Sequence, residues 1–144
     1  MLPEFADKFS EAYQTKIAAE KGITKVSALN QCGKGIHAML IDGENTVVSD
    51  PDMKHCEQAL KALDHLVVID IFLTETAELA DVVLPATAFA ETDGVQTNTE
   101  RRVQRLRAAV PPPGEAKPDW WIISGIARRM GTPGFLVVRR WGHR

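Results

Sequence analysis

The stretch DIFLTETAELADVVLP, residues 70–85, connects two short apolar runs through a Thr-rich turn and decides the fold. The first run, residues 66–69, stops at the carboxylate Asp70, and the second, residues 81–84, is closed by Pro85. Short and almost continuously apolar runs are typical of strands buried in a parallel sheet. Two explanations for the acid at the first strand's end stay open. Asp70 either caps the turn at Thr74 or holds a ligand at the end of the sheet.

Helical and strand-like patterns alternate along the rest of the chain. The predicted helices and helical turns cover residues 3–20, 24–30, 49–64, 74–79 and 118–130. The predicted strands cover residues 36–41, 65–70 and 81–85, and an extended basic segment follows a glycine-containing loop at 91–94. The first helix is indicated by apolar residues at four-residue spacing, and the helix at 49–52 by a Ser-Asp-Pro-Asp start with Pro51 in its first turn. This alternation predicts an α/β fold with a doubly wound, mostly parallel sheet flanked by helices.

Composition excludes several classes of function. The net charge of −2 over 144 residues gives no electrostatic basis for binding nucleic acid or an anionic membrane. Apolar runs are too short to span a bilayer, and the acidic N-terminal stretch is unlike a secretory signal, so we expect a cytoplasmic protein without membrane insertion. Cys32 and Cys56 are too far apart in sequence for a Cys-x-x-Cys pair, which indicates reduced, structural thiols and no metal site.

Polar residues follow each predicted strand, where the loops of a parallel sheet converge and ligands bind. They are the segment 43–45, then Asp70 with Thr74 and Thr76, then the loop 91–94, and farther along Asn98 and Asp119. A carboxylate at a strand end can accept two donors, such as ribose hydroxyls or the N1–H and N2–H edge of guanine. Backbone N–H groups in the first loop suit phosphate. Neither a Rossmann fingerprint nor a P-loop motif is present in the sequence.

Purely structural roles remain open for the same residues. Asn45 could be a left-handed turn residue after Gly43, and Asp119 could favour a helix N-terminus. The arginines of the basic segment are typical of a solvated charged face; they are Arg101, Arg102, Arg105 and Arg107. No Ser-His-Asp or Cys-His arrangement indicates a nucleophilic catalyst.

Several longer segments of the sequence resemble those of a known protein family. The sequence resembles the molybdopterin oxidoreductases in three segments. They are GEN at 43–45 after an apolar strand, SDPD at 49–52, and the stretch from LVVIDIF to RRMG at 66–131. The similarity extends over about residues 34–134, and it is greatest to the catalytic subunits of formate dehydrogenases. The word ADVVLP is widespread in that superfamily, whereas TNTERRVQR followed by PPGEAKPDW is more specific.

The resemblance implies a cofactor and a place in a larger enzyme. Family members bind two molybdopterin guanine dinucleotides around one molybdenum or tungsten, and two related α/β domains each hold one nucleotide. A separate domain carries an iron–sulfur cluster. This chain resembles part of one nucleotide-holding domain, residues 1–133, followed by a divergent tail at 134–144 that we expect to be loosely ordered. The implied partners are the remaining domains of the catalytic subunit or a larger oxidoreductase subunit.

The resemblance also assigns roles to particular positions. The first-strand loop would approach the phosphates and sugar, Asp70 the ribose or guanine, and Asp119 the guanine edge. The implied cofactor-binding residues are Gly43, Glu44, Asn45, Asp70, Thr74, Thr92 and Asp119. Thr46 departs from the family pattern, in which proline usually follows GEN.

The family's metal-ligating and cluster-ligating residues have no counterpart in this sequence, so the chain alone should not oxidise formate. We therefore expect a cofactor-binding part of a formate-dehydrogenase-like enzyme. A non-catalytic assembly or binding subunit that docks to a larger oxidoreductase is the main alternative. A free-standing protein that binds GTP or GDP is a weaker one, because the sequence lacks a P-loop lysine.

Overall fold

A three-stranded parallel sheet forms the centre of the molecule. The structure is a computed structural model and describes residues 3–12, 14 and 22–131. The strands are β1 (Ala38–Asp42), β2 (His65–Asp70) and β3 (Val82–Pro85), and they are ordered β1-β2-β3. The register aligns Asp42 with Ile69 and Asp70 with Pro85, so all three carboxyl ends lie at one edge. The predicted α/β class with a mostly parallel sheet is confirmed.

Five helices and a hairpin complete the described part of the chain. The helices are α1 (Pro3–Ala12), α2 (Lys25–Gln31), α3 (Thr46–Ser49), α4 (Met53–Lys61) and α5 (Asp119–Arg129). Two single 3-10 turns lie at Ala77–Leu79 and Phe89–Glu91. Strands β4 (Gly94–Thr97) and β5 (Val103–Leu106) form a separate antiparallel hairpin, and all their residues except Leu106 are exposed.

The two faces of the sheet are covered by different helices. Because side chains alternate along β2, Leu66 and Val68 pack on the face of α2 and α4, whereas Ile69 packs against Ile122 of α5. The first face has the larger core, and Leu60 of α4 is 2% exposed within it. Burying a leucine this completely contributes about 1.5–3 kcal/mol relative to leaving it in water.

Both cysteines lie in the larger core as free thiols, as predicted. Cys56 is fully buried and Cys32 is 5% exposed. Burial raises the pKa of both thiols, because a thiolate would lose its hydration there. They therefore remain protonated packing residues rather than reactive groups.

Local signals explain where several helices begin. Thr24 caps α2 as predicted, since its hydroxyl accepts a hydrogen bond of 3.3 Å from the N–H of Ser27. Helix α5 begins after Pro118, also as predicted. For the long helix predicted over residues 3–20, the structure describes a helix only over residues 3–12. Tyr13 and Ile17, two of the four residues that indicated it, lie outside the described residues.

The prediction that a helix begins at residue 49 was wrong, because α4 begins at Met53. Its cap is Asp52, which accepts a 3.0 Å hydrogen bond from the N–H of His55, so Pro51 precedes the helix instead of occupying its first turn. Met53, the first residue of the helix, is 50% exposed. The short helix α3 was missed, because its four residues are too few to show a period.

Replacing Leu60 with alanine tests the larger core. We expect Leu60→Ala to lower the free energy of unfolding by about 2–5 kcal/mol, because the lost methyl groups leave a cavity among packed neighbours. Denaturant unfolding followed by circular dichroism measures this. Lys54→Ala, on the exposed side of the same helix, is the control and should change stability by about 0.5 kcal/mol or less. Equal effects of the two variants would contradict this core.

Candidate functional site

Three carboxylates meet at the carboxyl edge of the parallel sheet. Asp42 ends β1, Asp70 ends β2, and Asp119 is the first residue of α5. Asp42 is aligned with Ile69, whose side chain packs on α5, so its side chain is on the same face of the sheet as Asp119. Asp42 was missed by the sequence analysis. The strand's alternation could have identified it, since Ile41 is the buried neighbour.

The charge of Asp70 reaches both Asp42 and Asp119, so the three acids are close enough to influence one another. Burial, followed by the charge of Asp70, raises the pKa of Asp42. Burial, followed by the charges of Asp42 and Asp70, raises the pKa of Asp119. Like charges in a partly desolvated place disfavour ionisation. A group that donates hydrogen bonds to these carboxylates would relieve both causes.

Two buried oxygens beside this edge lack a hydrogen bond among the described residues. They are Oδ1 of Asp119 and Oγ1 of Thr87, which follows β3. Most buried polar atoms in proteins are paired, and leaving one unpaired costs about 1–3 kcal/mol. Unpaired acceptors at a strand edge therefore indicate a place where a donor-bearing ligand can bind.

The contacts of Asp70 bear on one of the two explanations for the acid at the end of β2, the capping of the turn at Thr74. Its Oδ1 accepts a 2.7 Å hydrogen bond from the N–H of Ile71, the next residue. The turn beyond is capped by Thr74 itself, whose hydroxyl accepts a 3.3 Å hydrogen bond from the N–H of Ala77. The interpretation of Asp70 as the cap of that turn was wrong. Its second oxygen takes part in no hydrogen bond with the described residues, and can accept one from a ligand.

Asn45 joins the loop after β1 to the loop after β2. Its Oδ1 accepts a 2.9 Å hydrogen bond from the hydroxyl of Thr76, and its Nδ2 donates to Glu75 over 2.7 Å. The Thr76 hydroxyl, fully buried, also accepts from the N–H of Val47 over 3.0 Å. Asn45 has a φ of −83°, so its interpretation as a left-handed turn residue was wrong. Its amide group positions the two loops.

Gly43 has the left-handed conformation in this loop. Its φ is +63°, which strains any residue with a Cβ, and its N–H donates to the carbonyl of Ile69 over 2.9 Å. The neighbouring Glu44 is already paired, because its Oε1 accepts from Lys25 over 2.7 Å and from Ser49 over 3.1 Å. The hydrogen bond from Lys25 lowers the pKa of Glu44. Glu44 therefore ties the loop to α2.

Thr92 lies apart from these groups. It follows the 3-10 turn at Phe89–Glu91, at the base of the hairpin, and its hydroxyl donates to the carbonyl of Asp93 over 3.4 Å. No contact of the described residues connects it with the three carboxylates. The structure therefore places the predicted residues Gly43, Asp70 and Asp119 at the same edge of the sheet, together with Asp42. The side chains of Asn45, Glu44 and Thr74 form hydrogen bonds that hold the loops and the turn next to this edge.

The described residues limit other kinds of site. No group of three or more His, Cys, Asp or Glu side chains among them is arranged to hold a metal ion. Within the same ranges, no helix has the length and apolar character needed to cross a bilayer. The two tryptophans of α5, Trp120 and Trp121, are both exposed.

Comparison with known proteins assigns the chain to a family. The sequence model described as "Molybdopterin oxidoreductase" matches residues 5–129, and the chain belongs to this family. It is 57% identical over 123 residues to the F420-dependent formate dehydrogenase subunit alpha of Methanocaldococcus jannaschii. This alignment covers 85% of this chain and 18% of that subunit. It is 47% identical over 130 residues to the F420-dependent formate dehydrogenase 1 subunit alpha of Methanococcus maripaludis. That alignment covers 90% of this chain and 19% of that subunit.

A solved structure shows the same fold. The chain superposes on acetylene hydratase from Pelobacter acetylenicus with a TM-score of 0.69 and 27% sequence identity. The superposition covers 77% of this chain and 16% of that enzyme. The chain thus spans about a fifth of the length of the formate dehydrogenase subunits it matches. It corresponds to a part of a formate-dehydrogenase-type molybdopterin oxidoreductase.

The link between the two loops is tested by removing one hydroxyl. Thr76→Val keeps the side-chain shape but leaves the N–H of Val47 unpaired, and it leaves Oδ1 of Asn45 with only the 3.4 Å hydrogen bond from the backbone N–H of residue 76. We expect the free energy of unfolding to fall by about 1–3 kcal/mol in thermal or denaturant unfolding. Thr99→Val, at an exposed position, is the matched control. Stability equal to the unchanged chain would show that this hydroxyl does not hold the loops together.

Proposed function

We propose that this chain is a cofactor-binding part of a formate-dehydrogenase-type oxidoreductase and holds the guanosine end of a molybdopterin guanine dinucleotide. The observation that carries the proposal is the cluster of Asp42, Asp70 and Asp119 at the carboxyl edge of the sheet, with a buried oxygen of Asp119 unpaired. The family supplies the class of cofactor, a molybdopterin with molybdenum or tungsten.

The donor pattern of guanine fits this cluster. Guanine presents N1–H and N2–H on one edge, and two oxygens of one carboxylate can accept both. Asp119 is suited to that edge, because its Oδ1 is buried without a partner among the described residues, and burial with the nearby charges of Asp42 and Asp70 raises its pKa. Asp70 is suited to the ribose hydroxyls, since one of its oxygens is already used by Ile71. Adenine, which has no such pair of adjacent donors, would fit poorly.

The loop after β1 has the backbone geometry to approach the phosphates. Gly43 lets the chain turn sharply at the strand end, and the loops behind it are fixed by Asn45 and Thr76. Rigid loops reduce the entropy cost of binding, because they are already ordered before the ligand arrives. The role of these residues is to bind and orient the cofactor's tail.

The chemistry itself would belong to the bound group and to protein outside this chain. The metal-bearing pterin supplies the redox step when formate is oxidised to carbon dioxide. The metal ligand and the iron–sulfur cluster would be provided by other parts of the enzyme. The proposed partners are therefore the remaining domains of the catalytic subunit or a larger oxidoreductase subunit. The proposed location is the cytoplasm, with no nucleic-acid partner and no membrane insertion.

Base selectivity is the direct test of the guanine site. We expect the 144-residue chain to bind GDP more tightly than IDP, which lacks the N2 amine, and more tightly than ADP in isothermal titration. Asp119→Asn should lower the affinity for GDP by about 10–100-fold, because it removes hydrogen bonds to a charged acceptor worth about 1.5–3 kcal/mol. Glu115→Gln, an exposed acid close in sequence, is the control and should bind as the unchanged chain does. Equal affinity for the three nucleotides would refute guanine recognition.

The raised pKa values of Asp42 and Asp119 predict opposite pH effects on stability and binding. A carboxyl whose pKa is raised by folding stabilises the fold below its unfolded pKa, and this stabilisation is lost as the pH rises through the folded pKa. Asp42→Asn should therefore raise the melting temperature at pH 7 and have little effect at pH values below the ordinary aspartate pKa. The gain should be under about 1 kcal/mol, since Asp42 is exposed.

Binding should show the reverse trend with pH. GDP affinity should fall as the pH drops through the pKa values of Asp42 and Asp119, because a protonated carboxyl loses acceptor capacity. Melting curves of Asp42→Asn and of Glu115→Gln over a pH series provide the comparison for stability. The same melting temperature for Asp42→Asn and the unchanged chain at every pH would show that the like charges do not interact.

A further inference from the structure

The hairpin of β4 and β5 has its apolar side chains on the face that points away from the rest of the chain. The strand register divides the side chains between two faces, and the outward face consists of Val95, Thr97, Val103 and Arg105. The other face carries Leu106, which is partly buried, whereas the remaining strand residues are exposed. Val95 and Val103 are 69% and 68% exposed. This is the reverse of an ordinary antiparallel sheet, whose apolar face is covered and whose polar face meets water.

Positive charge is concentrated on the same hairpin. Residues 94–107 contain four arginines and a single acid, Glu100, although the net charge of the whole chain is −2. Arg102 lies 3.8 Å from Glu100 in an exposed contact, and such contacts hold a side chain only weakly. The side chains of Arg101, Arg105 and Arg107 form no ion pair with any residue that the structure describes. These cations are therefore available to carboxylates on another surface.

The tip of the hairpin is already shaped in the chain alone. The Oδ1 of Asn98 accepts a 2.9 Å hydrogen bond from the N–H of Arg102, and the N–H of Asn98 donates to the carbonyl of Arg102 over 3.1 Å. Arg101 has a φ of +62°, a left-handed conformation that strains a residue with a Cβ. Such strain is concentrated at functional positions. A two-stranded hairpin by itself is only marginally stable in water, so this one gains from a surface that covers it.

The chain's length and charge indicate what that surface is. The chain spans about a fifth of the formate dehydrogenase subunits it matches, so most of such a subunit lies outside it. A second copy of the hairpin is a poor cover, because it would place arginines opposite arginines, and like charges in that position are destabilising. A surface with apolar side chains and carboxylates complements both the valines and the arginines.

We propose that the outward face of the hairpin docks on an apolar surface, bordered by carboxylates, in the remaining part of the longer subunit. Val95 and Val103 are buried in that contact, and Arg105 pairs with a carboxylate at its border. The hairpin thus acts as a preformed clamp between this chain and the rest of the subunit. The proposal rests on the chain being part of a longer subunit and does not depend on the guanine site.

Trypsin, which cleaves after arginine, tests this docking, because the hairpin carries its own cleavage sites. The protein to use is a full-length subunit in which residues 5–129 of this chain replace the matching segment of the Methanocaldococcus jannaschii subunit. Mass spectrometry follows cleavage after Arg101 and Arg102. We expect it to be at least about 100-fold slower in this subunit than in the 144-residue chain, because a covered hairpin must open before it is cut.

Two variants remove the docking and leave the cleaved bonds unchanged. Val95→Asp places a charge in the apolar contact, and Arg105→Glu places a like charge against the carboxylates. Each should speed cleavage after Arg101 in the subunit by at least about 10-fold, since a buried charge without a partner is strongly unfavourable. Neither should change the rate in the 144-residue chain, where both positions are exposed. Val95→Ile and Arg105→Lys are the matched controls and should keep the protection.

Several results would overturn the proposal. Equal cleavage rates in the subunit and the chain would do so, and so would protection that either Val95→Asp or Arg105→Glu leaves intact. Val26→Asp changes a valine of α2 that is 61% exposed, and an equal acceleration by this variant would show general destabilisation instead of lost docking. Sedimentation of the 144-residue chain tests the other cover. A monomer supports the proposal, whereas a dimer that Val95→Asp dissociates would assign the outward face to a second copy.

Discussion

The pairing of β2 with a parallel neighbour on each side is the constraint on which the rest of the structure depends. It aligns the ends of three strands, so residues distant in sequence meet at one edge. The hydroxyl of Thr76 then holds the first two loops together, because it joins Asn45 and the backbone of Val47 in one buried set of hydrogen bonds. The backbone pairing places the loops side by side, and the side chains of Thr76, Asn45 and Glu44 hold them there.

The acids at this edge lower the stability of the chain when no ligand is bound. Asp42 and Asp119 are partly desolvated and repel each other and Asp70, which is why their pKa values are raised. Nothing in the described contacts offsets that repulsion with a cation, since Lys25 is paired with Glu44. Groups with pKa values perturbed by burial and by like charges are common at functional sites, which is why these acids are central to the proposal.

The sheet could be predicted from sequence because its signals are local. The apolar runs of β2 and β3 end at Asp70 and Pro85, and both strands fall where the pattern indicates. The site was harder to predict, because hydrogen bonds between distant residues leave no periodic signal. Asn45 and Glu44, which are predicted at the cofactor, also bond to Thr76 and Lys25, and the sequence carries no sign of these hydrogen bonds. Asp42 was missed because the predicted strand ended at residue 41, whereas β1 extends to Asp42.

The two thiols of the larger core have a practical consequence. Cys56 and Cys32 are shielded from solvent and are held in the protonated form by burial, so oxidants and alkylating reagents reach them only when that core opens. The rate at which such a reagent modifies the native chain therefore measures how often the core opens around Cys32, which follows α2, and Cys56 of α4. Modification of these two native thiols can therefore measure local opening of the core without an added label.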